Sequence, residues 1–294
     1  MSLDQVIITA ASSPYSPSLL ALLGSLNLNW PGHPPVRIYD IGLEDDTLQR
    51  LASLDQTVVK VPPFSPHWRK HFTWKIWCLN DAPAQSVLWL DAAIVVLRRL
   101  DEVFNLIQSQ GYFAIPNYHL LDWEASEAAC AGCGVSPEFR LGKHTLAGGV
   151  IGFKKERLSL QVLQEALAAA MDEKHIAATS PRHRHDQALL SLLLYKHYGQ
   201  VNIADGQIYA GWKSPNQVHG QKIWVHRRTL LRNDLEHYAA HISQPGAPYL
   251  PQDPASSSPW RYRLKKFYRT IRQWIARVNT RNAPPTIYDG IREQ

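Results

Sequence analysis

One carboxylate interrupts a strongly apolar stretch of the chain. The segment VLWLDAAIVVL, residues 87–97, contains ten apolar residues and one charged residue, Asp91. An ionised carboxylate is costly to bury unless a cation or hydrogen-bond donors pair with it. Asp91 therefore either caps or pairs within the core, or it binds a ligand such as a hydroxyl group or a divalent cation. Because it directly follows VLWL, we expect it at the carboxyl edge of a sheet, where open α/β proteins bind ligands.

The elements that position Asp91 are predicted from alternating sequence patterns. Short β-rich segments alternate with longer helical patterns, which predicts a mostly parallel, layered α/β sheet with helices on both faces. The predicted strands are residues 6–10, 36–41, 57–61, 87–97, 112–116 and 148–153. The predicted helices are residues 18–26 with Ser16 or Ser18 as N-cap, 45–54, 67–80, 100–110 closed by Gly111, 158–174 and 186–198.

The composition is that of a soluble globular protein. The chain has 294 residues, of which 45% are hydrophobic and 19% charged, and this length suits one large α/β domain with appendages. No apolar run reaches the roughly 18 residues of a membrane span. The N-terminal segment carries Asp4 where a secretory signal would be basic, and three cysteines give no disulfide framework. We therefore expect a cytoplasmic protein.

The C-terminal part differs from the rest in charge. Residues 243–259 are rich in Pro and Ser and are predicted to link a domain, residues 1–242, to a tail, residues 260–294. Residues 260–281 contain eight of the Lys and Arg residues and no acid, so the other residues carry −2 of the formal net charge of +6. The pattern predicts a basic amphipathic helix on an anionic membrane surface at the inner face, or one packed on the domain. Nucleic acid is not an expected partner, because no known binding module accompanies the basic patch.

Several motifs in the same order resemble glycosyltransferases of the GT-A fold, in particular family eight. The first is VIITAASSPY at residues 6–15, and LDAA at residues 90–93 aligns with the family's Leu-Asp-any-Asp. LDEVF at 100–104, AGGVIGF at 147–153 and HDQALLS at 185–191 follow in order. The resemblance spans roughly residues 5–230. It implies transfer of a sugar from a nucleotide-sugar donor, with a UDP-hexose as the expected donor, to a glycan or glycolipid. It also implies retention of configuration at the transferred sugar.

The resemblance and the chemistry of the side chains together indicate a donor site. Asp91 can accept hydrogen bonds from ribose hydroxyls, and the loop after the first strand can hold the base, with Tyr15 as a stacking partner. Lys75 stands where the family has an arginine, so it is expected either to meet a phosphate as a point charge or to be a solvated helix residue. The expected donor-binding residues are Ala10, Ala11, Ser12, Tyr15, Lys75, Asp91, Ala93, Gly148, Gly149, His219 and Lys222.

The chain departs from the family where a metal would bind. Ala93 replaces the second aspartate of Leu-Asp-any-Asp, which is the family's principal metal ligand, and Ser12 or Ser13 replaces an aspartate of the first loop. A late histidine–lysine motif remains only as HGQKIW, residues 219–224. If Mn²⁺ or Mg²⁺ binds, Asp91 and His219 are the expected ligands. Otherwise basic residues such as Lys75, Lys222, Arg227 and Arg228 neutralise the diphosphate, and dependence on metal is weak.

The expected catalytic residues are Asp186, Gln187 and Asp91. The resemblance implies that Gln187 lies near the anomeric carbon, whereas Asp186 could equally be an N-cap, because it opens a helical run. If the reaction inverts configuration, a carboxylate must act as base, with Asp186 or Asp122 as candidates. The alternative function is a catalytically silent nucleotide-sugar or carbohydrate-binding relative. A nucleotidyltransferase is disfavoured, because the chain lacks a glycine-rich phosphate loop.

Overall fold

The computed structural model describes residues 4–177, 183–211, 214–215 and 217–253. The strands of this part are β1 Gln5–Ala11, β2 Val36–Asp40, β3 Thr57–Lys60, β4 Ser86–Leu90, β5 Ile94–Val96, β6 Tyr112–Leu120, β7 His144–Lys154 and β8 Ile223–Val225. The helices are α1 Ser16–Asn29, α2 Asp45–Ser53, α3 Thr73–Asp81, α4 Asp101–Gln110, α5 Leu121–Glu124, α6 Glu127–Gly132, α7 Arg157–Ala170, α8 Glu173–Ile176, α9 His185–Tyr198, α10 Gly206–Tyr209 and α11 Arg232–Ala239.

The main sheet has six strands in the order β3-β2-β1-β4-β7-β6. The first four strands along this order run parallel to one another, and β7 is antiparallel to both β4 and β6. β6 therefore runs in the same direction as β4, and five of the six strands share one carboxyl edge. β5 and β8 form a separate antiparallel pair beside that edge. This arrangement confirms the predicted mostly parallel sheet.

Helices cover both faces of the sheet, because successive side chains of a strand point to opposite sides. On one face, Val6 and Ile8 of β1 pack with α3, α7 and α9. On the other face, Ile7 packs with α1 and α4. The buried strands are apolar on both sides, as expected for strands in the middle of a parallel sheet.

Helix α1 packs very closely against α11. A Cβ atom at Gly24 would lie 1.8 Å from the carbonyl oxygen of Tyr238, so only glycine allows this approach. α1 begins at Ser16 and follows the 3-10 turn Ser13–Tyr15, and neither Ser16 nor Ser18 occupies the N-cap position. The predicted serine cap is therefore wrong, and Pro17 in the first turn marks the start of the helix instead.

The apolar stretch of residues 87–97 is not one strand, as predicted, but two. β4 ends at Leu90, and the N–H of Ile94 donates to the carbonyl of Asp91 at 3.1 Å, which closes a turn. The chain then leaves the main sheet and continues as β5, which pairs with β8. Hydrophobicity is the same on both sides of this turn, and for that reason the pattern did not reveal it.

Several predicted elements have different bounds: the helix predicted over residues 18–26 spans Ser16–Asn29, and the strands predicted over residues 112–116 and 148–153 span Tyr112–Leu120 and His144–Lys154. The helix predicted over residues 67–80 begins only at Thr73, because His71 and Phe72 have left-handed backbone conformations, with φ of 56° and 59°. The helix predicted over residues 158–174 ends at Ala170, and Asp172 then caps the short α8 through the N–H of Lys174. The prediction that Gly111 closes α4 is confirmed by its φ of 85°.

The first part of the predicted linker packs on the domain. The N–H of Tyr249 donates to Asn29 Oδ1, and its hydroxyl donates to Asp234 of α11. The basic amphipathic helix predicted for residues 260–281 lies outside the described residues. Within the described part, no helix is both long enough and apolar enough to cross a membrane.

Candidate active site

Asp91 faces a lysine and a tryptophan at the carboxyl edge of the sheet. Its N–H donates to the carbonyl of Gly149 at 2.9 Å, which fixes the end of β4 against β7. Its Oδ1 accepts a hydrogen bond of 2.8 Å from Nε1 of Trp89 and lies 3.0 Å from Nζ of Lys75. The side chain is nevertheless 39% exposed. The lone carboxylate is thus paired on one side and open to solvent on the other.

Lys75 is the centre of a charged cluster, here called the Lys75 cluster, which comprises the buried Lys75 and Asp186 and the partly exposed Asp91. Helix α3 points the Lys75 side chain into the core, where Nζ donates to the carbonyl of Gly148 at 2.8 Å. Nζ also lies 3.0 Å from Asp91 Oδ1 and 3.4 Å from Asp186 Oδ2. The carbonyl of Gly148 accepts a hydrogen bond from this ammonium group, whereas the two carboxylates pair with it by charge, and Oδ2 of Asp186 has no hydrogen-bond partner among the described residues. Lys75 is therefore not a solvated helix residue.

The pKa of Lys75 reflects two opposing effects. Burial by itself lowers the pKa of an ammonium group, but the negative charges of Asp91 and Asp186 outweigh burial and raise the pKa of Lys75 above its ordinary value. Burial raises the pKa of Asp186, and the positive charge of Lys75 opposes that rise. Lys75 thus stays charged and holds the two carboxylates in place.

Helix α9 delivers Asp186 and Gln187 to the same edge. Asp186 is not an N-cap, since α9 already begins at His185, and its side chain is only 2% exposed. Gln187, next in sequence, is partly exposed. The order from the interior outwards is therefore Asp186, then Lys75, then Asp91 and Gln187 at the surface of the site.

Two glycines of β7 allow this close assembly. A Cβ at Gly148 would lie 2.7 Å from Cγ of Gln187 and 3.0 Å from Oδ2 of Asp186. A Cβ at Gly149 would lie 3.2 Å from Oδ2 of Asp91. All three distances are shorter than a relaxed van der Waals contact, so a side chain at either position would displace the polar groups of the site.

A second polar network supports Gln187, and no sequence motif had marked it. Asn117 of β6 donates from Nδ2 to Oε1 of Gln187 at 3.1 Å and to Oε2 of Glu124 at 2.9 Å. Glu124 is buried and forms an ion pair of 2.8 Å with Nε of Arg184. Burial raises the pKa of Glu124, although the positive charge of Arg184 opposes the rise. These contacts set the orientation of the Gln187 carboxamide.

An exposed aromatic group lies beside the cluster. The ring of Phe72 is centred 5.7 Å from Nζ of Lys75, and the residue is 49% exposed. The rings of His71 and Phe72 lie 5.1 and 6.1 Å from that of His185. All three residues have positive φ, which is costly for side chains of this size. They form an aromatic rim beside the Lys75 cluster.

The residues after β8 form a turn over the end of β4, here called the arginine turn (residues 226–229). The N–H of His226 donates to the carbonyl of Ala93 at 3.2 Å. Arg227 and Arg228 are exposed, and both have left-handed backbone conformations, with φ of 47° and 65°. Such strain costs on the order of 1–3 kcal/mol per residue. From the sequence, both arginines are among the basic residues expected to neutralise the diphosphate if no metal binds.

Other predicted site residues are distributed unevenly. Ala10 and Ala11 end β1 and are buried. Ser12 directly precedes the 3-10 turn Ser13–Tyr15, and Tyr15, the last residue of that turn, is exposed. These residues and Ala93 lie at the carboxyl edge with the Lys75 cluster.

Lys222 and His219 do not join that group. Lys222 lies at the far end of β5, where its ammonium pairs with Glu102 and donates to the carbonyl of Arg99. His219 is exposed in a turn that precedes β8, and Asp122 is exposed on α5.

The residues present do not suit Mn²⁺ or Mg²⁺. Oδ1 of Asp91 is already occupied by Lys75 and Trp89, Ala93 offers no ligand, and an ammonium ion within 3.0 Å repels a second cation. Within the described residues, no group of three His, Cys, Asp or Glu side chains could hold a metal ion.

The comparisons with known proteins establish the fold. No family model and no curated protein matches the chain. One similar structure is the galactosyltransferase LgtC in complex with donor and acceptor sugar analogues, with a TM-score of 0.56 and 14% identity over 84% of this chain and 98% of that chain. Another is the bifunctional glycosyltransferase WbbM, with a TM-score of 0.50 and 11% identity over 86% of this chain and 47% of that chain. The chain has the GT-A glycosyltransferase fold.

Proposed function

We propose that this protein is a glycosyltransferase of the family-eight type. It transfers a hexosyl group from a nucleotide sugar to a glycan or glycolipid, and a UDP-hexose is the expected donor. The observation that carries this proposal is the convergence of Asp91, Lys75, Asp186 and Gln187 at the carboxyl edge of a GT-A sheet. A similar structure, LgtC, is a galactosyltransferase that was solved with donor and acceptor sugar analogues.

Asp91 binds the donor through its exposed side. One oxygen holds Lys75 and Trp89, and the other can accept hydrogen bonds from two neighbouring hydroxyl groups of a ribose. The ribose then lies between the end of β4 and Tyr15, whose exposed ring can stack on the base. Since Lys75 is buried and paired with Asp91 and Asp186, its role is to position Asp91 rather than to bind phosphate.

Gln187 contacts the transferred sugar, and Asp186 acts through Lys75. The Gln187 side chain is partly exposed and is held by Asn117, so its carboxamide presents a fixed donor and acceptor to the hexose. Asp186 is enclosed and lies behind Lys75, which makes it a positioning residue. The absence of side chains at Gly148 and Gly149 leaves the polar groups of the site in contact with each other and with the donor.

Retention of configuration is supported by the same geometry. An inverting reaction needs a carboxylate that takes the proton of the acceptor hydroxyl. Asp186 is enclosed and paired with Lys75, and Asp122 is exposed on α5. In the retaining reaction that we propose, the bond from the anomeric carbon to the diphosphate oxygen breaks. The acceptor oxygen bonds to that carbon on the same face, and its proton goes to the leaving phosphate oxygen.

The acceptor reaches the site along the aromatic rim. Phe72 exposes a ring next to the cluster, and the flat apolar face of a sugar packs on such rings. The basic tail, residues 260–281, holds the enzyme at an anionic membrane surface on the cytoplasmic side, where a glycolipid acceptor is available.

Release of UDP tests the proposal. The full chain is incubated with UDP-glucose, UDP-galactose or UDP-N-acetylglucosamine, with and without oligosaccharide acceptors, and free UDP is measured. Asp91→Asn should lower turnover by about 100-fold or more, because a charged hydrogen-bond acceptor for the donor is lost. The melting temperature should change by only a few degrees. Asp46→Asn, at an exposed position of α2, is the matched control and should be unchanged.

A catalytically silent relative is the second candidate, and Ala93 favours it because the resembling family has a metal ligand there. This candidate predicts that nucleotide sugars raise the melting temperature of the protein without any release of UDP. Turnover with any donor rules it out, and wild-type turnover by Asp91→Asn would rule out the role of Asp91.

A further inference from the structure

The arginine turn has a backbone that its residues disfavour. The N–H of Thr229 donates to the carbonyl of His226 at 2.8 Å, so residues 226–229 form a closed four-residue turn. Both central residues have positive φ, an arrangement that normally selects Gly, Asn or Asp. Here both positions are arginine. Left-handed residues other than glycine persist where the surrounding structure imposes them, and they concentrate at functional sites.

The turn is attached to the candidate active site on three sides. Below it, His226 bonds to the carbonyl of Ala93, two residues after Asp91. On the β1 side, the guanidinium of Arg228 lies 5.3 Å from the centre of the Tyr15 ring. On the β6 side, the guanidinium of Arg227 lies 6.0 Å from the ring of Tyr118, whose neighbour Asn117 holds Gln187. The two guanidinium groups therefore flank the carboxyl end of β4.

The site needs positive charge that the Lys75 cluster cannot supply. That cluster contains one cation and two carboxylates, and the cation is buried and already paired with both of them. A nucleoside diphosphate adds further negative charge at the same edge. Within the described residues, no group of three His, Cys, Asp or Glu side chains could hold a divalent cation, and positively charged side chains can neutralise the diphosphate instead. A guanidinium group offers paired N–H donors that match two phosphate oxygens.

We propose that Arg227 and Arg228 bind the diphosphate of the donor, in the place of the divalent cation that the family resemblance implies. The ligand class is a nucleoside diphosphate, and this inference rests on the proposed function. The left-handed turn aims both guanidinium groups over the end of β4, and Tyr15 and Tyr118 hold them there by cation–π contacts. As the glycosidic bond breaks, the same two groups stabilise the negative charge that develops on the leaving diphosphate.

A double substitution that suits the backbone of the turn separates the effect of its strain on stability from the effect of its two cations on diphosphate binding. Asn-Gly is the residue pair that a turn with two positive φ angles prefers, so Arg227→Asn combined with Arg228→Gly relieves the strain and removes both cations. We expect this double variant to melt at a higher temperature than the wild type. We also expect it to bind UDP at least about tenfold more weakly, a loss of about 1.4 kcal/mol.

The experiment is calorimetric titration of the full chain with UDP, uridine and inorganic pyrophosphate, in excess chelator and again with Mn²⁺. The wild type should bind UDP in chelator, and the double variant should lose affinity for UDP and pyrophosphate while keeping that for uridine. Replacing both arginines by lysine should give intermediate affinity, because the charge remains but the paired donors are lost. Arg232→Ala, with a side chain that is 89% exposed, is the control and should bind UDP like the wild type.

Two results would overturn the inference: equal affinity of wild type and double variant for UDP, or wild-type binding that appears only with Mn²⁺. The proposed function fails separately. If UDP binds through the arginines but no UDP-sugar is turned over, the diphosphate site stands and the transferase does not. If UDP-sugars are turned over and the double variant is equally active, the transferase stands and the arginine site does not.

Discussion

Nζ of Lys75 lies 3.4 Å from Oδ2 of Asp186, and both side chains are almost completely buried. One residue comes from α3 and the other from α9, and the carbonyl of Gly148 from β7 completes the contact. The pair therefore ties the two helices to the strand that borders the candidate active site. We expect this pair to contribute to the stability of the domain and to the position of Asp91.

Lys75→Met should destabilise the protein strongly. The variant leaves Asp186 buried without a counter-charge, and breaking a buried ion pair in this way costs about 3–5 kcal/mol. Urea denaturation measures the free energy of unfolding. Lys70→Met, at a position with a 66% exposed side chain, is the matched control and should change it by no more than about 0.5 kcal/mol. Adding Asp186→Asn to Lys75→Met removes the stranded charge and should restore part of the loss. A Lys75→Met protein as stable as the control would show that the pair contributes nothing.

His226 should make the protein sensitive to acid. Burial lowers the pKa of His226 to about 4, from an ordinary value of 6.5. The unfolded chain therefore binds a proton between pH 6.5 and about 4 that the folded chain does not, and stability falls as the pH decreases through that range. One such group contributes up to about 1.4 kcal/mol per pH unit.

The comparison of two asparagine variants measures this contribution. In His226→Asn the side-chain oxygen can still accept the N–H of Arg228, so the free energy of unfolding should vary less steeply with pH than in the wild type. His219→Asn, at an exposed position, should keep the wild-type slope. Burial also lowers the pKa of His183 to about 4, so part of the acid sensitivity should remain in both variants. Identical slopes for His226→Asn and the wild type would contradict the prediction.

Gly148→Ala should impair catalysis more than stability. The new methyl group would meet Cγ of Gln187 at 2.7 Å, so the Gln187 side chain must move away from Asn117. Misplacement of a positioning group by about 1 Å can lower the rate by about 100-fold. Gly149→Ala meets Asp91 at the longer distance of 3.2 Å and should be milder. Values of kcat and KM for both variants, together with their melting temperatures, test this order, and a Gly149→Ala enzyme that is more impaired than Gly148→Ala would refute it.

The basic tail should bind anionic membranes. Eight cations in residues 260–281 each contribute about 1 kcal/mol near such a surface, less the effect of screening by salt. Removal of residues 255–294 should release the protein from anionic vesicles in a sedimentation assay, and high salt should release the full chain. The contacts of Tyr249 with Asn29 and Asp234 remain in the truncated form, so its melting temperature should be preserved. Equal vesicle binding by both forms would exclude the anchor, and an unfolded truncated form would favour a tail packed on the domain.

The sequence allowed the order of elements and the edge of the sheet to be predicted, because hydrophobic periodicity and strand–helix alternation are local properties. It also identified Asp91 as a lone carboxylate at a strand end. The break of the apolar stretch at Asp91–Ala93 was missed, because that turn is set by the pairing of β5 with β8. The start of α3 at Thr73 was missed for a similar reason, since left-handed His71 and Phe72 are set by tertiary contacts with His185.

For the site residues too, local sequence patterns identified some members, whereas the contacts between them depend on the tertiary structure. Lys75 was identified from its position, but its acceptors lie on β4, β7 and α9, and no local pattern predicts that they meet. Glu124 and Asn117 were missed, since a buried acid in a short helix has no distinguishing spacing. Lys222 was included because it follows a histidine in a familiar order, whereas the structure pairs its ammonium with Glu102.

The position of β7 between β4 and β6 also determines when this molecule can become functional during folding. Both neighbours precede β7 in the chain, so the sheet cannot close until the later strand enters between them. The hydrogen bond from Lys75 to Gly148 spans 73 positions, and such non-local contacts form slowly because the entropy of loop closure is lost before any contact is gained. A nascent chain that ends before β7 therefore lacks Gly148, the acceptor of Lys75, and leaves one edge of β4 unpaired, and unpaired strand edges are surfaces that favour aggregation.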